Sequence, residues 1–109
     1  DLSMITCIAN DHGYENVFKI PLEVMLNEGD MLIAISSSGE SDNILNAVKY
    51  AQAKNIYTIT LSGFSEENKL KKMGNMNFWL NSNDYGIVEV GHAFLLHNIA
   101  DRLAVNYQK

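Results

Sequence analysis

The chain alternates between short apolar runs and longer stretches with apolar residues at helical spacing. The run "MITCIA" (4–9) is β-rich and predicts a strand, with "NDHG" (10–13) as the turn after it. "YENVFKIPLEVML" (14–26) has helical periodicity, and Pro21 predicts either a kink or a split into two. The unbroken run "MLIAI" (31–35) has the length and composition of a strand covered on both faces. Ser41 is a good N-cap for a helix whose buried stripe is Ile44, Leu45, Val48 and Ala51. "IYTITL" (56–61) reads as a strand, 66–73 as a short helix and "MNFWL" (76–80) as the last strand. A long helical pattern then runs from Ile87 to about Tyr107.

Strands alternating with helices predict βαβ units and a three-layer α/β/α fold with a parallel, flavodoxin- or Rossmann-like sheet. Ligands of such sheets bind beyond the carboxyl ends of the strands. The predicted loops there are 10–13, 36–41 and 62–65. A length of 109 residues suits one domain with a modest core. The composition, 47% hydrophobic and 19% charged, is that of an ordinary globular chain.

Charge narrows the partners. The net charge is −5, no basic patch stands out, and nucleic acid is not expected as a partner. Lys69, Lys71 and Lys72 cluster, but on a short helix they read as a solvated face rather than a phosphate-gripping strip. The apolar runs are far shorter than the ~18 residues of a membrane span, so no membrane partner is expected either. One cysteine, Cys7, cannot form an internal disulfide, which fits a reducing, cytoplasmic setting. Its place in an apolar strand pattern makes it an inert core thiol.

The chemistry concentrates in "IAISSSGESDNI" (33–44). A strand-to-helix turn presents unpaired backbone N–H groups and the positive end of a helix dipole to an anion. Gly39 allows close approach of the backbone, and the hydroxyls of Ser36, Ser37, Ser38 and Ser41 are further donors. Without a lysine, and without a Walker A or G-x-G-x-x-G pattern, the loop suits a single sugar phosphate better than a nucleotide triphosphate. On spacing alone, the alternative is an ordinary capped turn.

"ISSSGESDNILNAVKYAQAKNIYTITLSG" resembles the signature of the SIS (sugar isomerase) domain family, and "CIANDHGYENVF" resembles its phosphoheptose isomerase type. The resemblance covers essentially the whole chain. It implies an SIS-type parallel α/β fold and an aldose–ketose isomerase acting on a sugar phosphate such as sedoheptulose 7-phosphate. It makes Ser36, Ser37, Ser38 and Ser41 phosphate-binding hydroxyls and sets Asn10 and Asp11 near the sugar. His97 becomes the active-site histidine, with Glu89 beside it where relatives carry glutamine. It requires no cofactor outright but admits Zn²⁺ on His97 and Glu89, and it implies a homodimer or homotetramer built through the last helix. Glu40 departs from the subfamily's usual asparagine. By the same resemblance, residues 1–109 form a single SIS-like domain, the C-terminal portion of the family's full domain. The family's early helices, first Gly-rich loop and a catalytic glutamate would then lie upstream.

Two positions eight apart on a helix, Glu89 and His97, lie roughly 80° apart around it and two turns along, so side-chain reach can bring them to one site. His92 and His97 lie about 140° apart and are not expected to share a small pocket, which leaves His92 structural or interfacial. The last helix is apolar almost all round and is expected to be buried against the sheet and between subunits. Trp79 and Tyr85 read as packing residues. The rival functional class is a non-catalytic SIS module that senses a phosphosugar or binds a protein partner. A different SIS chemistry, such as a phosphosugar etherase or an arabinose 5-phosphate isomerase, is a third.

Overall fold

The computed structural model describes residues 1–107. Its centre is a three-stranded parallel sheet in the order β1-β2-β3, formed by β1 (Met31–Ile35), β2 (Tyr57–Ser62) and β3 (Met76–Trp79). The helices are α1 (Leu2–His12), α2 (Lys19–Met25), α3 (Asp42–Ala53) and α4 (Tyr85–Tyr107). This is the α/β architecture that the alternating pattern predicts. No helix among the described residues is long and apolar enough to cross a membrane.

The register sorts the strand residues onto two faces. Leu32 pairs with Thr58 and Ala34 with Thr60, and these share the face that α3 covers. There Ala34, Leu45, Val48 and Leu70 form the core cluster, with Leu32, Ile44 and Met73 against it. The opposite face carries Met31, Ile33, Ile35, Tyr57, Ile59, Leu61, Met76 and Phe78. Ile59 and Leu61 are buried on it, whereas Met31, Ile35, Tyr57 and Met76 are exposed. The expectation that β1 is covered on both faces therefore fails for this chain. β1 is an edge strand, covered by α3 on one side only.

Residues 4–9 are helical rather than extended. A six-residue apolar run is compatible with either state, and the caps decide. Asp1 accepts from the amides of Ser3 (2.7 Å) and Met4 (3.3 Å), while the Thr6 hydroxyl bonds back to the Leu2 and Ser3 carbonyls. The helix runs through Asn10, Asp11 and His12 and stops at Gly13, φ 88°. "NDHG" is thus a helix end, and Cys7 is exposed on α1 rather than buried in a strand. Ile8 is the buried residue of α1.

The 14–26 segment does split, into a 3₁₀ turn (Tyr14–Asn16) and α2. Pro21 falls in the first turn of α2, where an amide proton would have no partner. The short helix expected over 66–73 contracts to a 3₁₀ turn at Leu70–Lys72. The Lys71 amide donates to the Asn68 side chain (2.9 Å), so the α-helical ladder does not start. α4 begins two residues earlier than expected, because Asp84 Oδ1 accepts from the amides of Gly86 and Ile87. Only Val88 and His92 of α4 are buried. Val90, Phe94 and Leu103 are exposed, so α4 is not buried all round within this chain.

Leu70 is fully buried where the 3₁₀ turn meets α3 and β1. Leu70→Ala is expected to cost about 2–5 kcal/mol, read as a lower urea midpoint with an unchanged slope. A loss below about 1 kcal/mol would show that this cluster is not the core.

Candidate functional site

At the carboxyl end of β1 the chain turns through Ser36–Ser41 into α3, and the turn is internally bonded. The Ser36 amide donates to the Leu61 carbonyl (3.0 Å) and carries the ladder one residue past the strand. The Gly39 amide donates to the carbonyl and Oγ of Ser36, both at 3.1 Å. Ser36 is buried, and its hydroxyl donates to Ser41 Oγ (3.2 Å). Ser38 Oγ accepts from the Glu40 amide (3.2 Å).

These bonds leave the hydroxyl protons of Ser38 and Ser41 free to point outward. Among the described residues, the Ser37 hydroxyl and the amides of Ser37, Ser38 and Ser41 have no protein acceptor. Ser41 precedes α3 in extended conformation, and its carbonyl accepts from the amides of Ile44 and Leu45. Its side chain makes no capping bond, and the amides of Asp42 and Asn43 at the start of α3 have no acceptor among the described residues. Bare amides, three free hydroxyls and the dipole of a 12-residue helix form an anion cradle with no cationic side chain in it.

A residue that pattern reading missed holds this turn in shape. Asn68 is fully buried, and its Nδ2 donates to Ser62 Oγ (3.2 Å) and to the carbonyls of Gly63 (3.1 Å) and Ser65 (2.8 Å). Its Oδ1 lies against Gly39, where a β-carbon would overlap it. Gly39 itself has φ 68°, a left-handed conformation that suits glycine. The Leu70 amide donates to the Gly39 carbonyl (3.1 Å), and Glu40 accepts from the Lys69 amide (3.1 Å) while pairing with Lys69 Nζ (3.4 Å). The serine turn is thus bound to residues 68–70 of the connection that follows β2. The sequence carries no signal for this, since an asparagine in a polar loop is usually exposed.

The lysine cluster is neutralised locally. Lys69 pairs with Glu40, Lys71 with Glu66 and Lys72 with Glu67. The hydrogen bond from Lys72, together with its charge, holds the Glu67 carboxyl below the usual carboxylate range. Lys71 also lies over the Trp79 ring, 4.2 Å from its centroid. Trp79 is half-buried, whereas Tyr85 is exposed and packs edge-on against Phe64.

Loops 36–41 and 62–65 come together, with the Ser37 carbonyl beside Gly63. Segment 10–13 does not join them as a strand-end loop, because it ends a helix. Asn10 and Asp11 are exposed and bond to each other (3.0 Å), with Cys7 Sγ 3.7 Å from Asp11. The chain just beyond them does approach the serine turn. Asn46 of α3 donates to the Glu15 carbonyl (3.0 Å), and a shallow pocket of about 410 Å³ lies between Tyr14, Glu15, Ser41, Asp42 and Asn43.

Glu89 and His97 are both exposed on the continuous helix α4, and His12 is exposed at the end of α1. His92 is 2% exposed, with Nε2 3.0 Å from the Ser62 carbonyl. Among the described residues no three His, Cys, Asp or Glu side chains converge on a metal position. Glu89 and His97 by themselves fall one short of the three protein ligands that a catalytic zinc takes.

The SIS domain family model matches residues 1–63. The phosphoheptose isomerase of Fusobacterium nucleatum subsp. nucleatum is 40% identical over 101 residues, covering 93% of this chain and 52% of that protein. The phosphoheptose isomerase of Aliarcobacter butzleri is 37% identical over 99 residues, covering 91% and 52%. Among solved structures, a phosphoheptose isomerase from Francisella tularensis superposes with a TM-score of 0.85 at 29% identity, over 93% of this chain and 54% of the other. One from Neisseria gonorrhoeae gives 0.85 at 30% identity, over 93% and 57%. The chain spans about half the length of the curated relatives it matches.

The contact between Gly39 and Asn68 is open to a direct test. Gly39→Ala adds a left-handed cost of about 1–2 kcal/mol and an overlap with the Asn68 carboxamide. Asn68→Ala removes the overlapping group. The double variant is expected to lose less stability than the two single losses combined, by at least about 0.5 kcal/mol. Simple additivity in chemical denaturation would refute the steric coupling.

Proposed function

The chain belongs to the SIS domain family, and on that premise we propose that it supplies the phosphate clamp and an acid/base group of an aldose–ketose isomerase acting on a sugar phosphate such as sedoheptulose 7-phosphate. The observation that carries the proposal is the serine turn, whose outward amides and hydroxyls of Ser37, Ser38 and Ser41 are fixed before any ligand arrives. Ser36 takes part as the residue that shapes the turn. Its similarity to phosphoheptose isomerases supports the choice of reaction.

Isomerisation moves a proton between C1 and C2 through an enediolate, so it needs a base and an acid at the reacting carbons. His97 is assigned one of these roles, because an imidazole can both accept and donate a proton near neutral pH. Glu89, two turns before it on α4, is assigned to the same end of the sugar, with Asn10 and Asp11 binding its hydroxyls. Binding the distant phosphate spends affinity on orientation, a contribution on the order of 7 kcal/mol in favourable cases. Glu89 and His97 would hold two positions of a Zn²⁺, whose chemistry there would be Lewis-acid polarisation of a carbonyl.

The reading extends to assembly. The exposed apolar residues of α4, including Val90, Phe94 and Leu103, suit a homodimer or homotetramer joined through that helix. Residues 1–109 are assigned to one SIS-type domain, and the free Cys7 thiol is compatible with a reducing cytoplasm.

The clamp is tested by a thermal shift of the natural-length protein with sedoheptulose 7-phosphate and with unphosphorylated sedoheptulose. At about 100 times its dissociation constant the phosphorylated sugar should add roughly 2.7 kcal/mol of stability, and the free sugar little. Ser38→Ala with Ser41→Ala removes two hydroxyls that donate to a charged group, each worth about 1.5–3 kcal/mol, so affinity should fall at least tenfold. Unchanged affinity would rule out the serine turn as the phosphate site. His97→Ala should abolish turnover while largely sparing binding, and a fully active variant would remove His97 from the chemistry.

A further inference from the structure

We infer that His92 is a positioning residue, whose hydrogen bond to the Ser62 carbonyl aligns α4 and its candidate acid/base side chains with the phosphate turn. What it aligns rests on the proposed function; that it aligns two parts of the fold does not.

A carbonyl only accepts, so Nε2 of His92 must carry the proton at the 3.0 Å contact. Nδ1 is then buried without a partner among the described residues. That is an uncompensated desolvation, and a purely packing position would avoid it with an aliphatic side chain. Val88, one turn earlier and fully buried, is such a position. The donor at Ser62 is what the imidazole provides and an aliphatic residue cannot.

Ser62 is the point where the two halves of the site meet. Its carbonyl is held by α4, and its hydroxyl by Asn68, which also binds the carbonyls of Gly63 and Ser65 and lies against Gly39 of the serine turn. Beside it, both Val88 methyls lie where a β-carbon on Gly63 would sit, 2.7 Å away, and the Ser37 carbonyl is 3.2 Å from the same point. The path from α4 to the phosphate turn therefore runs through two buried contacts on adjacent residues.

Leverage makes the position consequential. His92 is the last buried residue of α4, and His97 lies five residues on, about 7.5 Å along the axis. A tilt of roughly 8° at His92 moves His97 by about 1 Å, and a misplacement of that size can cost ~100-fold in rate.

The test compares His92→Leu, which keeps bulk without a donor, with His92→Gln, whose amide nitrogen can replace Nε2. In the natural-length protein, Leu should lower kcat for sedoheptulose 7-phosphate by about 100-fold, with a smaller change in KM, and Gln should recover at least about tenfold of the loss. The ¹H–¹⁵N shifts of the Ser37, Ser38 and Gly39 amides, measured with and without inorganic phosphate, should move in Leu and return towards wild type in Gln. In the unmutated protein, imidazole ¹⁵N spectra should show a protected proton on Nε2. Wild-type serine-turn shifts in a folded Leu variant, or equal impairment of Leu and Gln, would overturn the inference. If neither variant folds, the imidazole spectrum decides, and a proton on Nδ1 alone overturns it. An unmutated protein without isomerase activity would refute the proposed function only, leaving the amide shifts and the tautomer to judge His92.

Discussion

The fully buried carboxamide of Asn68 holds the ligand-facing edge of the sheet together. It makes four side-chain hydrogen bonds across the turn between β2 and β3, and its oxygen occupies the space in front of Gly39. A buried amide with its partners in place is costly to move, because each broken bond would strand a polar group. The serine turn must therefore take the one path that leaves the Gly39 Cα bare. Leu70, two residues beyond Asn68, is in the core cluster and binds the Gly39 carbonyl through its amide. The core and the serine turn are thus joined within three residues.

That rigidity compensates for the lack of positive charge. Every lysine near the turn is paired with a glutamate, and the net charge is −5. A helix dipole at an exposed terminus contributes about 0.3–1 kcal/mol, whereas each hydrogen bond to a charged group contributes about 1.5–3 kcal/mol. Three hydroxyls and the neighbouring amides therefore outweigh the dipole. Their value depends on being aimed in advance, which is what the bonds of Ser36, Glu40 and Asn68 achieve.

The parts of this arrangement legible in the sequence are those with a local cause. β1, α3 and β2 followed from apolar runs and one helical stripe, and the serine turn from its place between them. Residues 4–9 are ambiguous in the sequence because six apolar residues fit a strand or a helix, and the deciding feature is a cap at Asp1. Cys7 and the 10–13 segment were misplaced with them. The contraction of 66–73 and the role of Asn68 were not legible, since both depend on residues brought together by the fold. His92 could be placed on a different side of its helix from His97, but not at the Ser62 carbonyl.

The two faces of the sheet divide the work of the site. The serine turn is anchored chiefly on the face under α3, where Leu70 of the core cluster holds the Gly39 carbonyl, and it meets the α4 side at Gly63. The other face is apolar and partly bare, with Met31, Ile35, Tyr57 and Met76 exposed. α4 is tied to β2 and the turn beyond it through Val88 and His92, with Leu80 against Gly91 and Phe64 against Tyr85, and among its residues only Val88 and His92 are buried. The serine turn is thus preformed by local packing, while the direction of Glu89 and His97 depends on a narrow contact and on whatever covers the rest of α4. Loss of packing on the α4 side should accordingly disturb any chemistry that needs His97 at a fixed distance more than it disturbs the serine turn.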